Sequence, residues 1–182
     1  MNSKDLKWTI GLTLLALVPA CGSTDDGAGS GQFSSTLPKA SVISSLSASE
    51  SSKLCSEYNL GPLKKAALDV VCLQSALFAA AVGSKTDAEA RATCSDTYAA
   101  CIKTVVPDAQ CPFGTTCQVT VAQFERCTND IVTAYGDVGA ALPSCTEVTV
   151  AALQKVNLKG EPAEPASCSV VDVKCPSSAA DN

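Results

Sequence analysis

Ten cysteines between Cys55 and Cys175 set the terms on which this chain folds. Little else offers bulk: the 182 residues hold eight aromatics (four Phe, three Tyr, one Trp), so a core has to be assembled from Ala, Val and Leu. Such a core is thin, and small exported domains compensate with cystines, each worth ~2–4 kcal/mol through its restriction of the unfolded chain. The eleventh cysteine, Cys21, stands well apart from the rest. Leaving it out gives an even number, as complete pairing in an oxidising compartment requires.

What precedes Cys21 reads as an export signal over residues 1–20: basic Lys4 and Lys7, an apolar run from Trp8 to Val18, and small Ala20 before the cysteine. The stretch from residue 8 to 20 is too short for a membrane-spanning helix, which needs ~20 residues. Val18-Pro19-Ala20-Cys21-Gly22 resembles a bacterial lipobox, with Pro19 where Ser, Ala or Thr is usual. The resemblance implies that Cys21 becomes the first residue of the processed chain and carries a lipid of the palmitate class. The membrane is then a partner through that lipid. Gly22 stands where an inner-membrane retention signal often places Asp, which points to the outer membrane.

Residues 21–48 read as the lipidated cysteine and a disordered tether. The sequence GSTDDGAGSGQFSSTLPKASVISSLSA is rich in Ser and Gly and lacks apolar periodicity, and a coil of that length has a root-mean-square reach of ~25–30 Å. Residues 49–176 form the cysteine-rich domain, and 177–182 a polar tail. The predicted fold is an all-α, disulfide-stapled bundle of about five helices. Leu63 to Val82 opens after Pro62 and closes at Gly83. Thr86 with Glu89 makes a capping box for a helix from Asp87 to about Val105, with Pro107 as its stop. Thr120 caps a helix carrying Val121, Phe124, Cys127, Ile131 and Tyr135 at helical spacing, and Thr146 or Thr149 starts a shorter one through Leu158. Lys64, Lys65, Asp69 and Gln74 argue against a membrane span over Leu63–Val82 and for a buried core helix, faced by Ala92, Tyr98, Ala99 and Ile102.

Cysteine intervals suggest two degenerate repeats: Cys55, Cys72, Cys94 and Cys101 are spaced 17, 22 and 7 apart, and Cys127, Cys145, Cys168 and Cys175 are spaced 18, 23 and 7. Cys94 and Cys101, seven apart on one helix, lie ~10.5 Å from each other and cannot bond. A hairpin folded at Gly83 brings Cys72 level with Cys94, and Cys55 level with Cys101. The repeat transfers this to Cys145 with Cys168 and Cys127 with Cys175, and leaves Cys111 and Cys117 of CPFGTTC to pair locally.

The lipobox, the Ser/Gly stretch, the Ala-rich helices and CQVTVAQFERCTNDI followed by ALPSC resemble uncharacterised cysteine-rich lipoproteins of myxobacteria and related Gram-negative bacteria. The resemblance implies an envelope location and a cystine-stapled helical domain, and brings no catalytic residue with it.

The absence of histidine excludes Ser/His/Asp and Cys/His nucleophile systems and histidine-based zinc sites. There is no C-x-x-C, no Walker loop and no dinucleotide-binding glycine pattern. Asp25-Asp26 and the pair Asp87 and Glu89 read as solvated or helix-capping carboxylates. Net charge of −5 with scattered Lys and Arg gives no nucleic-acid surface. No cofactor or metal is expected, and the chain does not read as an enzyme. The expected function is noncatalytic: an envelope lipoprotein whose domain binds a protein or envelope component. The alternative is a carrier of a small apolar ligand in an interhelical cavity.

Overall fold

The computed structural model describes residues 31–104, 116–156 and 162–175. A 3-10 turn at Ile43–Ser45 precedes six helices: α1 (Ala48–Asn59), α2 (Pro62–Gly83), α3 (Asp87–Ile102), α4 (Val121–Ala140) and the short α5 (Val150–Leu153) and α6 (Ser169–Lys174). Among the described residues there is no strand, only an isolated antiparallel bridge between Val42 and Thr120. The chain is a small disulfide-stapled helical bundle.

Local chemistry sets the helix bounds. Pro62, with no N–H to lose, is the first residue of α2, and the chain turns extended at Ser84 after Gly83. Thr86 with Glu89 and Thr120 with Gln123 form capping boxes that satisfy the free amides opening α3 and α4. Ser47 and Glu50 do the same for α1, a signal the sequence reading passed over. Thr149 caps α5 by accepting from the Ala152 amide at 3.1 Å, but α5 ends at Leu153, short of the expected Leu158.

α2 is the spine, with α3 folded back along it and α4 packed on another side. One hydrophobic cluster gathers Phe33, Leu37, Ile43, Leu54, Cys117, Val119, Val121, Phe124 and Cys175. A second gathers Ala76, Leu77, Ala80, Ala90, Cys94, Val148 and Leu153. The buried core helix expected over Leu63–Val82 is buried on one side only: Val70, Cys72, Ala76, Leu77 and Ala80 face inward, while Val71, Phe78 and Val82 are exposed. From α3 it is Ala90 and Cys94 that are buried, whereas the expected Ala92 and Ala99 are exposed.

The tether assignment over 21–48 is corrected from residue 33 onward. Phe33, Ser35, Leu37 and Ile43 are buried, so this Ser-rich segment is a strap on the bundle. Phe33 meets Tyr58 and Phe124 edge-on, those two rings are tilted against each other, and the ring centroids are 5.4–6.2 Å apart across the triad. Further along, the strap pairs with the chain entering α4: Ile43 N donates to Val119 O and Ser44 N to Cys117 O, each at 2.9 Å. Three apolar side chains and these backbone bonds offset the ordering of a polar segment.

The disulfides also differ from the expected pairs. Cys72 bonds Cys101, Cys94 bonds Cys145, Cys117 bonds Cys175 and Cys127 bonds Cys168. Every expected partnership is therefore replaced: Cys72 with Cys94, Cys55 with Cys101, Cys111 with Cys117, Cys127 with Cys175, and Cys145 with Cys168. A two-helix hairpin leaves out a third element. The inner face of α3 meets α2 at Cys101, but at Cys94 it meets the segment after α4, where Cys145, Val148 and Leu153 pack. Cys117 lies beside the C-terminal segment because Gln118 N donates to Lys174 O at 2.9 Å.

The repeat suggested by the intervals is not carried into structure. Cys72 lies inside the 22-residue α2, but its counterpart Cys145 lies in a turn before the four-residue α5. The bond between Cys94 and Cys145 joins one set of cysteines to the other.

Candidate interaction surface

The densest polar constellation is the clamp holding the strap. Asn129 on α4 grips the backbone of Phe33 at both ends: Phe33 N donates to Asn129 Oδ1 at 2.6 Å, and Asn129 Nδ2 donates to Phe33 O at 3.0 Å. One helical turn earlier, buried Glu125 accepts from Ser35 N and from Lys39 Nζ, with which it forms an ion pair. Lys39 Nζ also donates to Ser35 O at 2.7 Å. On α1, Glu57 accepts from Ser35 Oγ at 2.6 Å and from the Thr36 amide at 3.3 Å. Partial desolvation works against the ionised Glu57 carboxyl, but the hydrogen bonds from Ser35 and Thr36, with Lys53 nearby, outweigh it and hold the group below its ordinary value of 4.5. Each carboxylate here is matched by donors within the fold. The constellation fastens the strap to α1 and α4.

A surface groove of about 420 Å³ runs between α4 and the start of α6, lined by Gln123, Arg126, Asp130, Ala166, Ser167 and Val170. Ser167 Oγ donates to Asp130 Oδ2 at 2.5 Å. Nearby, a hydrogen bond to Asp172 and its like charge push the exposed Glu164 carboxyl above its ordinary range. The lining is mixed in polarity and lies at the surface, not between the Ala-rich helices.

The third feature is the outer face of α2. Val71, Ser75, Phe78 and Val82 follow the i, i+4, i+7, i+11 spacing of one helix face, and the three apolar ones are 51%, 62% and 74% exposed. The stretch Ala48–Gly83 contains a window long and apolar enough to cross a membrane, of which 28% is buried in the bundle. Asp69, the one acid of α2, lies on the other side of the helix and accepts from Tyr98 Oη of α3 at 3.5 Å.

Of the predicted site residues, Cys21 and Cys111 lie outside the described residues. Cys55 sits on α1 and is disulfide-bonded, and the other eight form the four pairs given above. Among the described residues no group of three or more Cys, Asp or Glu is placed to hold a metal ion. No protein-family profile, curated protein or solved structure matches this chain.

The strap clamp and the bare face of α2 both escaped the sequence reading. Phe33 and Leu37, four apart in a Ser-rich run, and the charge-free interval between Asp69 and Lys85 were the signals available for them.

Proposed function

We propose that this chain is a noncatalytic envelope lipoprotein, acylated at Cys21 and bound for the outer membrane, whose disulfide-stapled domain binds a protein or envelope component. The observation that carries the reading is the conjunction of an export leader running into Val18-Pro19-Ala20-Cys21 with a domain whose nine cysteines among the described residues are all disulfide-bonded. Cystines of this density belong to oxidising compartments, so the leader and the domain point the same way independently. The internally matched clamp and the mixed, open groove offer surfaces for contact and no reactive group. The same features accord with the resemblance to cysteine-rich lipoproteins of myxobacteria and their relatives.

The test is Cys21→Ser, with membrane fractionation and mass spectrometry of the N-terminal peptide. The expected result is a wild-type peptide starting at an acylated Cys21, and a variant that is either released from the membrane or left unprocessed. Normal processing with full membrane retention of the variant overturns the proposal. Density separation of inner and outer membranes decides the sorting, and finding the chain in the inner membrane rejects that part.

A further inference from the structure

We infer that the exposed face of α2 rests on the lipid bilayer surface, with Val71, Phe78 and Val82 entering the headgroup–acyl boundary. The inference deepens the envelope-lipoprotein reading, on which it rests, by naming the component that the domain touches. Three observations carry it.

The first is where the strap begins. Phe33 is fixed to α4 by Asn129 and follows Cys21 by twelve residues, so covalent length alone keeps it within ~40 Å of an acylated Cys21. The strap starts against the N-terminal end of α2: a Cβ built on Gly61 would stand 3.2 Å from the Phe33 ring. The anchor's reach therefore ends where α2 starts, next to Leu60, which is 86% exposed.

The second is charge. No acid lies on the stripe, the interval from Val70 to Ser84 carries no charge at all, and exposed Lys85 stands just beyond its C-terminal end. In a chain of net charge −5 this face is free of the carboxylates that anionic headgroups repel. A lysine at the end of an apolar stripe lays its stem along it and reaches phosphate headgroups.

The third is depth. The apolar groups form a single row on a helix whose other sides pack on α3 and α4, and that geometry suits lying in the interface plane.

The experiment places a tryptophan at the contact. Trp8 leaves with the leader, so Phe78→Trp in the full, processed protein, reconstituted in phosphatidylcholine–phosphatidylglycerol vesicles with brominated acyl chains, carries a single tryptophan. Blue-shifted, bromine-quenched emission is expected, whereas tryptophan at exposed Ala99 on α3 stays unquenched. In the unacylated protein, Val71→Ser with Val82→Ser is expected to weaken partition into these vesicles by about tenfold or more. Both positions are exposed, so an unchanged circular dichroism melt separates this loss from misfolding. An acylated, vesicle-bound chain with water-like, unquenched emission at position 78 overturns the inference and leaves the anchor standing. An N-terminal peptide of unacylated mass with position 78 still quenched removes the anchor and keeps the face. A blue shift that grows with protein concentration without lipid, together with a dimeric mass by light scattering, overturns it in favour of a second copy.

Discussion

The two ends of the bundle solve the same problem by different means. At the strap end, Phe33, Tyr58 and Phe124 put three rings against one another and the clamp residues Glu57, Glu125 and Asn129 tie the strap down. At the other end the buried side chains of α2 and α3 are chiefly alanines, Ala76, Ala80 and Ala90, with Leu77 and the bond from Cys94 to Cys145. Both ends hold a long-range cystine, and the closed separations, 51 residues for Cys94–Cys145 and 58 for Cys117–Cys175, are nearly equal. In the chain-entropy picture each is worth about 4 kcal/mol, so the crosslinks do not distinguish the ends. What differs is what remains without them. Alanine brings little transfer free energy, whereas a buried aromatic brings several times more.

Full reduction gives the largest expected effect and tests this contrast directly. The loss of several contributions of ~2–4 kcal/mol exceeds or rivals the total stability of ~5–15 kcal/mol, so the reduced domain largely unfolds at 37 °C by circular dichroism. At partial reduction, hydrogen exchange is expected to quicken in α3 and around Val148 before it does in α1 and the first turns of α4. Simultaneous loss at both ends would break the comparison. Next, Phe33→Ala is expected to cost about 3–5 kcal/mol in urea unfolding, a core aromatic's loss from a segment that composition alone marks as tether. A cost within 0.5 kcal/mol would mean that the strap is undocked in solution.

Gly61→Ala follows, at about 1–3 kcal/mol, because the added methyl would stand 3.1 Å from Tyr58 O and 3.2 Å from both Glu57 O and the Phe33 ring. Only the share due to the Phe33 ring should disappear once Phe33 is already alanine, since the contacts with the Tyr58 and Glu57 carbonyls remain, and a double-mutant cycle reads that coupling. Acid weakens the same end. Glu57 is depressed in the fold, so its contribution is fully present above the unfolded value near 4.5 and is lost as pH falls through the lower folded value. Glu57→Gln is expected to flatten that part of the pH–stability profile below 4.5, and an unaltered profile would assign it to other carboxyls. The smallest effect is a gain at the alanine end. Ser84 Oγ is buried without a hydrogen-bond partner among the described residues, so Ser84→Ala is expected to raise stability by about 1 kcal/mol in the same urea titration.

Sequence carried the helices well because their signals are local. Pro62, Thr86 with Glu89, and Thr120 each act within one turn of the bound they set, and the structure uses all of them, while Gly83 ends α2 as its last helical residue and Ser84 takes the C-cap place. Pairing was not legible for the opposite reason. Cys94 meets Cys145 only because the segment after α4 returns over α3, a fact that no spacing within the hairpin encodes. The strap was hidden by its own composition: Ser35 and Thr36 look like linker until their hydrogen bonds to Glu57 and Glu125 are seen. Its partners on α4 are 90 and 96 residues away, beyond any local pattern. The bare face of α2 was masked by helix-wide hydrophobicity, since a helix with one dry side and one exposed apolar side reads as a helix buried all round.

Those separations of 90 and 96 residues also fix an order of events. A chain that emerges from its amino end presents Phe33 and Ser35 long before Asn129 and Glu125 exist beside them, so the first part of the domain to appear is the last to find its place. Loop-closure entropy favours Cys72 with Cys101, 29 residues apart, over the pairs separated by 41, 51 and 58. Assembly then starts with α2 and α3 clasped as a hairpin and finishes when α4 receives the strap, so an arrested or truncated chain would already be crosslinked at its middle while still open at its beginning.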